Sequence, residues 1–287
     1  MNGLRGLWVA GPLLGLCVAV WAQEGTPRYP PTLPDASVHV YKTVGETALR
    51  LWVFEPHGHE ASDRRPAAVF FFGGGWRTGS PAQFERQAKA LRDRGMVGIV
   101  ADYRVSSRHG TRPWHAVADA HDALRWVASH ATELGIDPER MAAAGGSAGG
   151  HLAAATASLA DPEGQDRAPV RPNALVLFNP AVVMADVEGV FDAPEQLVER
   201  FERRLEAMSP YHHLAAGHPP TLVLHGIADA LVPADTAVAY CDRIASLGGD
   251  CEIVLYGGAP HGFFNRAPHF ERTLLQMTRF LERLGWL

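Results

Sequence analysis

The chain has 287 residues, 47% of them hydrophobic and 20% charged, an ordinary globular composition with enough apolar mass for one large core. Its formal net charge of −5 offers no polycationic surface, so neither nucleic acid nor an acidic membrane face is an expected partner. No internal repeat or low-complexity core segment divides it, and one domain is the expected count.

At the N-terminus Arg5 precedes an apolar run from Leu7 to Trp21, and Val20 and Ala22 stand before a polar Gln23-Glu24. This pattern predicts a secretory signal peptide over residues 1–22, cleaved between Ala22 and Gln23. The run holds Gly11, Pro12 and Gly15 and is short for a span of ~20 residues, so no stable membrane anchor is expected. Cys17 follows Leu16, where a lipidation site wants a small residue. Its removal with the signal leaves Cys241 and Cys251, and an even pair in an exported chain suggests a disulfide. The expected location is the periplasm or the medium.

Residues 23–37 are Pro-rich and read as a linker or extended arm, ahead of one domain over 38–287. Strand-like patterns cover 38–43 and 48–54. Residues 55–66 form a polar loop, in which His57 and His59 lack an evident third ligand, so no metal is expected. A regular alternation follows: strand 67–72, helix 81–94, strand 97–101, helix 114–130, strand 141–144, helix 151–159, strand 174–179. It resumes with strand 221–224, helix 233–246, strand 251–256 and helix 270–284. Short apolar strands between amphipathic helices imply an α/β fold, with a mostly parallel central sheet covered by helices on both faces. Residues 183–218 break the alternation. Within them 193–208 is a charged helical stretch, read as a solvated face and as a small partial lid.

Chemistry enters at residues 145–149, Gly-Gly-Ser-Ala-Gly, between a strand candidate and a helix candidate. A strand–turn–helix with small residues two before and two after a serine is the context of a nucleophile elbow, which nominates Ser147. A serine hydroxyl attacks poorly until a base takes its proton, and the base needs an orienting carboxylate. Asp229 follows strand 221–224, and His261 follows strand 251–256. Both therefore fall at carboxyl ends of strands, where open parallel sheets place their sites. The rival acids are Glu252, inside a strand, and Asp235, in a helix's first turn. An oxyanion intermediate needs preorganised N–H donors. One is expected from Ala148, the other from the loop Phe72-Gly73-Gly74-Gly75-Trp76. That loop lacks the Gly-Lys-Ser/Thr ending of a phosphate cradle.

Taken together, Phe72-Gly-Gly-Gly-Trp76, Gly145-Gly-Ser-Ala-Gly-Gly-His-Leu-Ala153, His225-Gly-Ile-Ala-Asp229 with Val232-Pro233, and His261-Gly-Phe-Phe264 carry a resemblance. Over residues 38–287 the chain resembles an α/β-hydrolase of the exported acetyl esterase/lipase type, in particular the carbohydrate-esterase-like group with acetylxylan and feruloyl esterases. The resemblance implies Ser147 as nucleophile, His261 as base, Asp229 as orienter, and the N–H groups of Gly74, Gly75 and Ala148 as oxyanion donors. It departs at Phe72, where the family usually has a histidine that supports the loop.

The implied activity is hydrolysis of short-chain acyl esters without metal or organic cofactor. The expected partner is a small ester or an acetylated carbohydrate. The alternatives are a lipase-like carboxylesterase, an arylformamidase-like amide hydrolase and a catalytically silent binding protein. Trp76 and Phe263 are candidate pocket walls, each with a bland reading: Trp76 as cover for the sheet edge, Phe263 as packing. Asp102-Tyr103-Arg104 is read as a buried ion-pair site, His151 as a helix residue and His212-His213 as surface loop.

Overall fold

The computed structural model describes residues 29–164 and 167–287; the expected signal peptide, with Cys17, lies outside the described residues. Eight strands form one sheet: β1 Ser37–Val44, β2 Thr47–Phe54, β3 Arg65–Phe71, β4 Val97–Ala101, β5 Ile136–Gly146, β6 Ala174–Phe178, β7 Thr221–Gly226 and β8 Cys251–Tyr256. Their spatial order is β1-β2-β4-β3-β5-β6-β7-β8. The β1–β2 and β2–β4 pairings are antiparallel, and every pairing from β4 to β8 is parallel.

The helices are α1 Glu85–Arg92, α2 Ser106–His109, α3 Pro113–Ser129, α4 Ala148–Ser158, α5 Glu195–Arg200, α6 Ala234–Ser246 and α7 His269–Arg283. Strand side chains alternate between two cores. Val69 and Phe71 of β3 join Leu124 of α3, Leu152 of α4 and Ile244 of α6 on one face. Ala68 and Phe70 point the other way, toward Leu91 of α1 and Phe280 of α7. Both faces of the central strands are thus buried, which is why they read as continuous apolar runs rather than as alternation. The described part of the Pro-rich segment, from Tyr29 on, lies against the body: Leu33 is buried in the second core, and the Tyr29 ring lies under the Arg108 guanidinium at 3.7 Å.

Three expectations need correction. The helix expected over 81–94 is a 3-10 turn, Pro81–Phe84, followed by α1, because Phe84 leaves helical geometry at φ −106° and ψ 11°. The charged stretch 193–208 is not one helix. Helix α5 ends at Arg200, Glu202 and Arg203 take φ of 47° and 63°, and only a 3-10 turn, Glu206–Met208, follows. Side chains at positive φ cannot continue a right-handed helix. His212 and His213 close a 3-10 turn, Pro210–His213, rather than an open loop. The segment between Val182 and Tyr211 is pinned at its base, where Tyr211 N–H donates to the Val182 carbonyl and Met184 N–H to Ser209 Oγ, each at 3.0 Å. Cys241 of α6 and Cys251 of β8 are joined in a disulfide with Cα atoms 5.3 Å apart.

Candidate active site

Strand β5 delivers Ser147 into the turn before α4. Its backbone sits at φ 55° and ψ −120°, a region that costs of order 1–3 kcal/mol. Surrounding bonds hold it there: Ser147 N–H donates to the Phe178 carbonyl at 2.9 Å, and the Ser147 carbonyl accepts from His151 N–H at 3.0 Å. Glycine is required two residues on either side. A Cβ at Gly145 would collide with the Gly149 backbone, and one at Gly149 with the Phe71 carbonyl oxygen.

The loop after β7 supplies Asp229, whose Oδ1 accepts from Leu231 N–H and Val232 N–H, both at 2.9 Å. Its Oδ2 lies 2.7 Å from His261 Nδ1. Burial acts to raise its pKa, but hydrogen bonds from His225, His261 and Val232 outweigh that and hold the carboxyl far below the usual carboxylate range. His225, fully buried, donates from Nε2 to the Val232 carbonyl at 2.9 Å and lies 3.5 Å from Asp229 Oδ2.

His261 stands on the loop after β8, with Nε2 2.9 Å from Ser147 Oγ. Since a carboxylate only accepts, Nδ1 carries the proton and the neutral ring offers the bare Nε2 to the serine hydroxyl. The three residues nominated from sequence therefore form one hydrogen-bonded series, Ser147 to His261 to Asp229. The rival acids take no part: Glu252 reaches Arg283 from β8, and Asp235 lies in the first turn of α6.

The glycine loop closes the other side. Gly73 N–H donates to Gln83 Oε1 at 2.6 Å, and the Gly74 carbonyl accepts from Arg77 N–H and Thr78 N–H at 3.1 Å each. Gly74 and Gly75 adopt φ of 126° and 62°. Both line the cavity that holds Ser147, and among the described residues neither N–H meets an acceptor. The Ala148 N–H belongs to the first residue of α4 and is one of those a helix leaves without an internal partner. Where the resemblance has a histidine, Phe72 stacks on Tyr103 at 4.0 Å, and Tyr103 Oη donates to the Phe72 carbonyl at 2.7 Å. Support of the loop has passed to that aromatic pair and Gln83.

The cavity measures about 430 Å³. Trp76 is both wall and packing: it lines the cavity and meets His151 and Phe201 edge-on at 5.1 and 5.0 Å. Phe263 is not a wall. It packs on Tyr256 at 4.9 Å and His269 at 5.3 Å, while its neighbour Phe264 turns to the cavity beside Ser147. Leu197 and Arg200 of α5 also line the cavity, so this charged segment borders the site.

Asn179 escaped sequence reading except as the end of a strand. It is fully buried, its Oδ1 accepts from Gly262 N–H at 3.1 Å, and its Nδ2 lacks a partner among the described residues while the residue lines the cavity. A polar residue closing the apolar run 174–178 is the one signal that pointed to it.

The bland readings hold elsewhere. Arg104 Nη2 pairs with Asp119 at 2.7 Å in the interior. His151 is fully buried, with Nε2 donating to the Met208 carbonyl at 2.7 Å. His59 spans Asp63 and the Leu134 carbonyl at 3.2 and 2.8 Å. Among the described residues no group of three or more metal-ligating side chains converges, and no helix is long and apolar enough to cross a membrane.

A family model described as alpha/beta hydrolase fold matches residues 68–265. The probable carboxylic ester hydrolase LipM of Mycobacterium tuberculosis is 33% identical over 203 residues, covering 66% of this chain and 46% of that protein. The esterase LipC of the same organism is 30% identical over 220 residues, covering 69% and 53%. The chain thus spans about half the length of these curated relatives. Among solved structures, a thermophilic esterase from Thermogutta terrifontis is 44% identical with a TM-score of 0.85, covering 91% of this chain and 96% of that one. Its butyrate-bound form is 45% identical with a TM-score of 0.85, covering 91% and 99%.

Proposed function

This chain belongs to the α/β-hydrolase fold family, and on that premise we propose that the protein is a serine carboxylesterase acting on short acyl esters. The observation that carries the reading is the bonded series from Ser147 through His261 to Asp229, facing two unpartnered glycine N–H groups across one cavity. Ser147 Oγ attacks the ester carbonyl as its proton passes to His261 Nε2. Asp229 holds the ring and stabilises the imidazolium. The oxyanion is met by the N–H groups of Gly74, Gly75 and Ala148, each such donor lowering the barrier by roughly 2.7–4 kcal/mol. Collapse expels the alcohol, which takes the proton from His261. Water, deprotonated by the same Nε2, then cleaves the acyl-serine.

A cavity of about 430 Å³, walled by Met184, Leu197 and Phe264, supports short acyl groups. So do the propionate- and butyrate-bound forms of the Thermogutta terrifontis esterase. The finer reading is an exported enzyme removing O-acetyl groups from carbohydrate. It rests on the residue 1–22 pattern, the Cys241–Cys251 bridge and the sequence resemblance.

The test is hydrolysis of a 4-nitrophenyl ester series, acetate to decanoate, beside acetylated xylan and with Ser147→Ala as control. A peak at the shortest esters, abolished in a folded Ser147→Ala variant, is the expected result. Turnover retained by that variant refutes the mechanism, and untouched xylan refutes the carbohydrate reading.

A further inference from the structure

The wall of the ester cavity carries a cation that has no ion-pair partner among the described residues. Arg200, the last residue of α5, is half-buried and lines the cavity together with Ser147. Its contact within the protein is Nη1 to the Gly75 carbonyl at 3.3 Å. Elsewhere the fold pairs such groups: Arg104 with Asp119, Arg125 with Asp122, and Arg112 with Glu202 at 2.8 Å. Arg104 and Arg125 are pushed up by their carboxylates, whereas Arg200 is drawn down by burial and by the positive charge of Arg77. Among the described residues no carboxylate lies within ion-pair distance of Arg200 or Arg77.

Behind Arg200 lies a second cavity of about 340 Å³, and Trp76, Gln196 and Arg200 border both. This second cavity is polar. Arg77, Arg200, Ser106 and Thr111 line it, with Glu199 as its acidic residue. Two of its lining residues have a buried polar atom with no partner among the described residues, Thr111 at Oγ1 and Trp76 at Nε1. Trp76 is only 5% exposed, so this donor is shut away from bulk water. A half-buried guanidinium, a second arginine facing it and orphaned hydrogen-bonding groups form a site with the wrong chemistry for an apolar acyl chain. It has the right chemistry for an oxyanion, since a guanidinium binds a carboxylate through two parallel N–H groups.

We infer that Arg200 and Arg77 form a carboxylate subsite adjoining the ester cavity, and that the natural substrate is an ester bearing a carboxylate away from the bond that is cleaved. The inference rests on the esterase reading above and narrows its substrate class. The carboxylate belongs either to the acyl part, as in a half-ester of a diacid, or to the alcohol part, as in an esterified hydroxy acid. Gly75 links the subsite to the reaction, because the residue whose carbonyl touches Arg200 is also an oxyanion donor.

Two substrate pairs test it on the full chain. 4-Nitrophenyl pentanoate against 4-nitrophenyl hemiglutarate places the charge on the acyl side. Phenyl acetate against 4-acetoxybenzoate places it on the alcohol side. The readout is the ratio of kcat/KM for the charged member to that for the neutral one, in wild type, Arg200→Gln and Arg77→Gln. Taking ratios removes the general loss expected if Arg200→Gln shifts the Gly75 loop, and Arg77→Gln, an exposed change, serves if that variant fails to fold.

In at least one pair the wild-type ratio exceeds that of Arg200→Gln by about tenfold, mostly through KM, and falls as salt is raised. Arg77→Gln moves it the same way by less. Ratios within about twofold of wild type in both variants and both pairs, or an insensitivity to salt, overturn the inference while leaving the esterase standing. If the wild type turns over none of the four esters, the esterase reading falls and takes this one with it.

Discussion

Acid should loosen this protein through a histidine that performs no chemistry. His151 is fully buried one turn into α4, and burial holds its pKa at about 4 against the ordinary 6.5, the bond to the Met208 carbonyl opposing only in part. Because the folded value lies below the unfolded one, the stability tied to the neutral ring is complete above 6.5 and is lost as pH falls through about 4. Between these values, at about 1.4 kcal/mol per pH unit, the loss approaches about 3 kcal/mol.

The perturbation is His151→Gln, which keeps an N–H donor for Met208 but cannot titrate. Urea unfolding of both proteins at about pH 7.5 and about pH 4.5 gives a double difference, with the wild type losing roughly 2–3 kcal/mol more than the variant. Wild type alone would not isolate the effect, since His121 is also held by burial at about 4. Equal losses in the two proteins refute the reasoning and return His151 to being simple packing.

Two further outcomes follow from the same geometry. Asp229→Asn removes the acceptor that fixes the His261 tautomer, so kcat for a short ester should fall by about 10⁴ with KM little changed; a loss below about tenfold would mean that another group orients the ring. Replacing Cys241 and Cys251 with alanine reopens a loop with a sequence separation of 10. That should lower the unfolding free energy by about 3 kcal/mol in urea titrations, and an unchanged midpoint would remove the bridge from the stability argument.

What the sequence revealed was what local sterics or strand endings impose. Ser147 was legible because a turn this tight admits only glycine at 145 and 149, a demand written within five residues. Asp229 and His261 were legible because each follows an apolar strand, and parallel strands bring such loops to one edge. Asn179 was not, because its partner, Gly262, is 83 residues away and nothing near Asn179 encodes the meeting.

The charged run at 193–208 misled for a different reason. Its residues favour a helix one by one, and only packing of Phe201 and Leu205 into the core bends the chain at Glu202 and Arg203. That bend also decides which of several arginines borders the cavity, a choice that composition does not contain. Phe263 and Phe264 are adjacent aromatics with opposite destinies. The turn at Gly262, with φ 73°, sends the second rather than the first toward Ser147.

The clasp between Val182 and Tyr211 makes the segment between them a module. Since the ends of this excursion meet before β7 begins, the sheet registers only their closure and not what lies between them. Doubling the length of such an excursion costs only about 0.6 kcal/mol in closure entropy. The cavity wall at Leu197 and Arg200 can therefore be rebuilt by exchanging one segment. The hydrolytic residues stand on the loops after β5, β7 and β8 and would stay where they are.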